Sequence, residues 1–160
     1  MSIAVDRSKD ERNLKLILEK IMNSTIGIRH VILMDSSGIT LMSVSKFAVE
    51  GVEGTVERIG AIGGAVFQAG EEQGEILGFG KIKIQITEYD KGFLFGMKVG
   101  NFGIICVITD IDVQIGILKM ILQKWAPKIK DVLKRYLYTD QKVISSELKS
   151  LFGSEDFELL

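Results

Sequence analysis

KIKIQITEYDKGFLFGMKVGNFGIICVITD, residues 81–110, holds three β-type runs joined by the turns EYDKG and Gly100-Asn101. Connections this short join antiparallel neighbours, because a parallel crossover needs about a dozen residues or more. The first run, Lys81 to Thr87, alternates Lys81, Lys83 and Gln85 with Ile82, Ile84 and Ile86, the pattern of an edge strand with one wet face. The last, Phe102 to Thr109, is apolar at consecutive positions and so belongs at the centre of a sheet, covered on both faces.

Working outward from this unit, HVILMDSSGITLMSVS (residues 30–45) reads as a hairpin about Asp35-Ser36-Ser37-Gly38, with Val31 to Met34 a second central strand. Before it, Leu14, Ile17, Leu18 and Ile21 form the apolar stripe of a helix, and Ser8 with Glu11 has the spacing of a capping box at its start. After the last strand, Ile115, Leu118, Leu122, Trp125, Ile129, Val132 and Tyr136 mark a long helix whose stripe continues through Pro127, which favours a bend over a break.

The segment between the hairpin and the three-stranded unit, TVERIGAIGGAVFQAG (residues 55–70), has helical spacing but carries Gly60, Gly63, Gly64 and Gly70. An interior glycine costs about 0.5–1 kcal/mol relative to alanine, so close approach of another backbone has to offset it. Helical projection groups Val56, Ile59, Ile62, Val66 and Phe67 with Gly63 and Gly70 on the arc expected to meet the sheet. The opposite arc, with Glu57, Arg58, Ala61, Ala65, Gln68 and Glu72, is left for solvent or a second helix.

The element order is therefore αββαβββα, a three-layer α+β domain in which helices cover both faces of an antiparallel sheet. We place this domain at residues 8–138 and read residues 139–160 as an appendage, a short amphipathic helix around Ile144, Leu148, Leu151 and Phe152 or a disordered segment, ending in the acidic SEDFELL.

With 160 residues, 46% hydrophobic and 26% charged, the chain has the size and composition of one soluble domain. A formal charge of -1 argues against nucleic-acid binding through bulk charge. The single cysteine, Cys106, allows no intrachain disulfide and suits a reducing, cytoplasmic setting. Apolar stretches fall short of the ~18 residues a membrane span requires.

Catalytic arrangements are not found in the sequence. It has no phosphate-binding G-x-x-x-x-G-K-[ST], no H-E-x-x-H, no C-x-x-C and no G-x-S-x-G, and the helical glycines do not have dinucleotide-binding spacing. His30 is the only histidine and lacks a second His or Cys to complete a metal site; it reads as structural. Cys106, set among Ile104, Ile105, Val107 and Ile108, reads as an inert core thiol. Asp110 and Asp112 are expected to cap the last helix. The basic run Lys119, Lys124, Lys128, Lys130, Lys134 and Arg135, relieved by Asp131, reads first as a solvated helix face and second as a surface for an acidic partner or membrane. We expect no enzyme activity, no cofactor and no metal.

Taken together, HVILMDSSGITLMSVS, ERIGAIGGAVFQAG and the 81–110 unit leading into a long helix resemble the roadblock family, the domains of dynein light chains and of archaeal and bacterial regulators of Ras-like GTPases. The resemblance covers about Asp10 to Trp125 and implies a five-stranded sheet in the order 2-1-5-4-3. It implies dimerisation, with a second copy or another roadblock chain, by pairing of third strands and of second helices. Carried onto this sequence, the interface would use Arg58, Ala61, Ala65, Gln68, Ala69 and Glu72 on the helix and Lys81, Ile82, Lys83, Ile84, Gln85 and Ile86 on the strand, with Gly63 and Gly70 letting the helix lie close to its sheet. The implied function is that of a non-catalytic scaffold binding a small Ras-like GTPase or a larger complex and biasing its nucleotide state. Of the arginines, Arg7, Arg12, Arg29, Arg58 and Arg135, Arg58 is the first candidate for a residue inserted into the GTPase. A structural adaptor without GTPase-linked activity and a small-ligand sensor are the alternatives.

Overall fold

The computed structural model describes residues 3–46 and 54–152. Along the chain come α1 (Ile3–Met22), β1 (Ile28–Asp35), β2 (Thr40–Ser45), α2 (Thr55–Ile76), β3 (Gln85–Tyr89), β4 (Gly92–Val99), β5 (Gly103–Asp110) and α3 (Ile115–Phe152). The five strands form one antiparallel sheet ordered β2-β1-β5-β4-β3, with β1 and β5 central and β3 at an edge as their residue patterns require.

Strand alternation divides the apolar residues between two cores. Val31, Leu33, Phe93, Phe95, Met97, Ile105 and Val107 face α1 and α3, packing with Leu14, Leu18, Ile21, Leu118, Leu122, Ile129 and Leu133. Ile32, Met34, Ile104 and Cys106 face the other way, beneath Phe67 of α2. Helices α1 and α3 run antiparallel: Lys20 meets Trp125, Asp10 pairs with Arg135 at 3.2 Å, and the Arg7 guanidinium lies 5.3 Å from the Tyr136 ring centroid.

Four expectations require correction. First, α1 begins at Ile3, so Ser8 lies inside the helix and the capping box does not form; Asp6 supplies the negative charge in the first turn. The added turns of α1 have a surface to lie on, because α3 continues beside them past Tyr136. Second, β3 begins at Gln85, not Lys81. The chain leaves α2 through Gly78 and Gly80, both at positive φ, and a Cβ at Gly74 would stand 2.5 Å from the Gly80 carbonyl oxygen. Ile82 then packs close against Gly70, and residues 81–84 precede the ladder with β4.

Third, α2 is rotated from the orientation that apolar counting gives. Its buried residues are Gly60, Gly64 and Phe67, whereas Ile62 is 63% exposed and Val66 49%. Gly60 and Gly64, one turn apart, sit on the β1–β2 turn: a Cβ at Gly64 would stand 2.7 Å from the Gly38 Cα, and one at Gly60 3.2 Å from the Gly38 carbonyl oxygen. Gly38 itself has φ +90, where a side chain is strained. Gly70 does lie close to the sheet, where a Cβ would stand 2.9 Å from Gln85 Nε2 of β3, but Gly63 has nothing within 4 Å.

Fourth, neither Asp110 nor Asp112 caps α3. The Asp110 carboxylate accepts the Asp112 backbone N–H at 3.0 Å within the preceding loop, and α3 starts at Ile115. This helix is continuous through Pro127 to Phe152, so residues 139–152 prolong it. The carbonyl that loses its partner at Pro127 belongs to Gln123, an exposed residue whose oxygen water can satisfy. The SEDFELL segment lies outside the described residues.

Candidate functional site

The rotation of α2 fixes the geometry of an apolar concave surface. By resting its glycine ridge on the β1–β2 turn, the helix lies mainly over the β1–β2 side of the sheet and reaches β4 and β3 through Phe67 and Gly70. Between helix and edge strand runs an apolar groove of about 220 Å³. Ile59, Ile62, Gly63 and Val66 form the helical wall, Gln85, Thr87 and Tyr89 the strand wall, and Leu94, Gly96 and Cys106 part of the floor.

Gly96 keeps the floor low: a Cβ there would lie 3.3 Å from the Phe67 ring. Beyond the strand wall the sheet ends, since β3 pairs with β4 on its inner side alone and its outer N–H and C=O groups face outward. An apolar slot thus runs beside an unpaired strand edge.

Three side chains with acid–base or nucleophilic capacity have defined surroundings. Burial pushes the Cys106 thiol up to about 12, so no useful fraction is thiolate near neutrality. His30, on the β1–β2 ladder, has its Nδ1 2.7 Å from the Ser45 hydroxyl, and burial, with Arg29 adding to it, lowers its pKa below the usual 6.5. Asp35 is occupied by the turn, accepting from the Ser37 N–H, the Ser37 hydroxyl and the Ile39 N–H. Among the described residues no group of three or more His, Cys, Asp or Glu could hold a metal ion.

At the polar end of the groove, Glu71 is shielded, with Lys98 at 3.8 Å and Lys81 at 4.0 Å. Lys81 also meets Glu75 at 3.3 Å. These contacts join the end of α2 to β4 and to the segment ahead of β3.

The interface residues expected from the sequence are distributed around this groove. Arg58, Ala61, Ala65, Gln68, Ala69 and Glu72 are all exposed. Gln68 donates to the Ser36 carbonyl at 3.1 Å and so belongs to the contact with the hairpin. Lys81 and Lys83 are exposed, Ile82, Ile84 and Gln85 half-buried, and Ile86 is exposed at the sheet edge. Ile62, Val66, Thr87 and Tyr89, which form the walls, were missed. The available signal was that Ile62 and Val66 are too large and apolar for an outer face, given that Gly60 and Gly64 must share the face of closest packing.

Comparison with known proteins agrees with this architecture. No family model matches the chain. Two uncharacterized proteins of Methanocaldococcus jannaschii, MJ0310 and MJ1340, are each 28% identical over 116 residues, 72% of this chain and 95% of theirs. Among solved structures, MglB in a tetrameric arrangement superposes with a TM-score of 0.72 at 14% identity, covering 79% of this chain and 92% of its own. The gliding protein MglB of Thermus thermophilus gives 0.70 at 13% identity, covering 78% and 91%. A Roadblock/LC7 domain of Streptomyces avermitilis gives 0.67 at 12% identity, covering 74% and 96%.

The chain has a roadblock fold. In this roadblock domain the groove lies where α2 and the β3 edge meet, and α3 reaches past the sheet to Phe152, presenting Ile144, Leu148, Leu151 and Phe152 as exposed residues. Among the described residues no helix is long and apolar enough to cross a membrane.

Proposed function

We propose that this roadblock domain is a dimeric, non-catalytic scaffold that binds a small Ras-like GTPase and biases its nucleotide state. The observation that carries the dimer is the groove: Ile62 and Val66 stand exposed beside an unpaired strand edge, and Gly63 leaves room for a backbone between them. A second copy placed by a twofold axis at β3 would extend the sheet and lay its α2 alongside, covering the aliphatic wall of both grooves. Ile62, Val66 and Ala69 then form the centre, with Arg58 and residues Gln85 to Tyr89 flanking it. Ala61, Ala65 and Glu72 remain on the outer surface of the paired helices.

The GTPase assignment is supported by the resemblance of the chain to roadblock regulators and by the roadblock fold. Such a scaffold needs no catalytic residue. Different affinity for the two nucleotide states of its partner is sufficient to shift the partner between them.

Light scattering on the wild type and on Val66→Glu tests the dimer. The expected result is twice the monomer mass for the wild type and a folded monomer for the variant; a wild-type monomer at tens of micromolar, a concentration a modest interface withstands, overturns the homodimer. Equal affinity for GTP-loaded and GDP-loaded GTPases would overturn the regulatory part and leave an adaptor. Arg58→Ala that leaves stimulated hydrolysis unchanged would exclude Arg58 as an inserted residue.

A further inference from the structure

The face opposite the groove is built from α1 and α3, and it carries a concentration of positive charge. Lys20 from α1 and Lys124 and Lys128 from α3 converge on Trp125, their ammonium nitrogens 5.4, 5.6 and 5.5 Å from the ring centroid. Trp125 is the only tryptophan in the chain and is half-buried between the two helices.

Three cations at one ring repel one another, and Lys124 and Lys128 are one turn apart on the same helix face. The ring's negative face offsets part of that cost. A carboxylate would offset more, yet among the described residues none lies within 4.0 Å of these three lysines; the described ion pairs involve Lys81, Lys98 and Arg135 instead. Glu19 and Asp131 are the neighbouring acidic residues, outnumbered by Lys20, Lys124, Lys128 and, further along α1, Lys9 and Arg12.

The same surface exposes aliphatic side chains. Leu16 is 54% exposed, Met120 63% and Ile117 39%, and helical projection puts all three on the outward sides of α1 and α3 next to the lysines. Lysines around exposed aliphatics, with a tryptophan half in and half out, have the composition of a surface resting in a lipid headgroup layer. An acidic protein segment would account for the charge but not for the aliphatics.

We propose that the α1–α3 face, centred on Trp125, docks on an anionic phospholipid bilayer, with Lys20, Lys124 and Lys128 against the headgroups and Met120, Leu16 and Ile117 entering the interface. The proposal does not depend on the dimer or on a GTPase, because each copy carries the whole patch.

The test is flotation of the full chain with vesicles of phosphatidylcholine, alone or mixed with phosphatidylglycerol, with Trp125 emission followed in parallel. Binding is expected only on the anionic vesicles, with a blue shift of emission and loss at high salt. Since each interfacial lysine contributes about a fivefold step, Lys20→Gln/Lys124→Gln/Lys128→Gln is expected to weaken binding roughly a hundredfold. These side chains are on the surface, and circular dichroism checks that the variant folds. Met120→Ser is expected to reduce both binding and blue shift. No binding to anionic vesicles at low salt, or binding that the triple variant retains, overturns the proposal. Binding to polyglutamate with none to vesicles assigns the face to an acidic protein and equally overturns it.

Discussion

Gly63 and Gly64 are adjacent in one helix, yet alanine at the two positions should act in opposite directions. At Gly63 a Cβ would meet nothing within 4 Å, so Gly63→Ala adds helix propensity without a clash and is expected to stabilise by about 0.5–1 kcal/mol. At Gly64 the same gain is opposed by a Cβ placed 2.7 Å from the Gly38 Cα and 3.3 Å from its nitrogen. Carbon atoms prefer about 3.5–4.0 Å, so helix and turn must separate by nearly an ångström. The turn yields poorly, because Gly38 is at φ +90 and the Asp35 carboxylate fixes its neighbours. Overpacking of this kind costs about 1–3 kcal/mol, which is also the expected gap between the variants, and it leaves Gly64→Ala with a net loss of up to about 2 kcal/mol. Urea unfolding at one protein concentration measures it as a change in midpoint at constant slope. Equal effects at the two positions would refute the orientation of α2 and, with it, the groove. If Gly63→Ala loses stability only at concentrations where the chain self-associates, the alanine is meeting a second copy.

Arg135→Ala should lose about 1–2 kcal/mol, because Asp10 is only 7% exposed and its 3.2 Å partner is removed, while Arg135→Lys should recover part of it; thermal or urea unfolding reports both. His30 makes stability pH-dependent: with its folded pKa below the usual 6.5, the unfolded chain binds the proton first as pH falls, so stability present at neutrality declines below about pH 6.5 until the folded pKa is passed. His30→Gln should flatten that part of the profile, and an unchanged profile would remove the assignment. Cys106, buried and with its thiol pushed up to about 12, should react with a disulfide reagent at pH 8 only on unfolding; fast native labelling would show that the groove floor opens.

The central places of β1 and β5 were legible because burial on two faces leaves a direct mark: Val31 to Met34 and Ile104 to Val107 are apolar at consecutive positions, whereas the full strand order came from the family resemblance. The alternation that placed the third strand at an edge held, but its starting point did not. Nothing in KIKI distinguishes a paired residue from one packed toward α2, since the contact of Ile82 with Gly70 exists only in three dimensions. The helix face was misread for a related reason. Hydrophobic counting weighs Gly60 and Gly64 as nothing, although the absence of a side chain is what allows the closest packing. Once two glycines one turn apart are allowed to define the buried face, Ile62 and Val66 move outward and the groove follows from the sequence.

The two exposed apolar features lie on opposite sides of the sheet, which limits how they can be used together. If β3 edges pair about a twofold axis, the strands of the two copies join one continuous sheet, and both α1–α3 layers fall on the same side of it. The Trp125 patches then face one plane, and a bilayer in that plane meets two of them at once. The paired α2 helices point the other way, into solution, where a protein partner can reach Ala61 and Ala65. Under that arrangement Val66→Glu, far from any lysine of the patch, should weaken vesicle binding by removing the second contact while leaving the salt dependence of the remaining one intact. Vesicle binding that does not change when the dimer is split would mean that each patch acts alone and that the two faces are energetically separate.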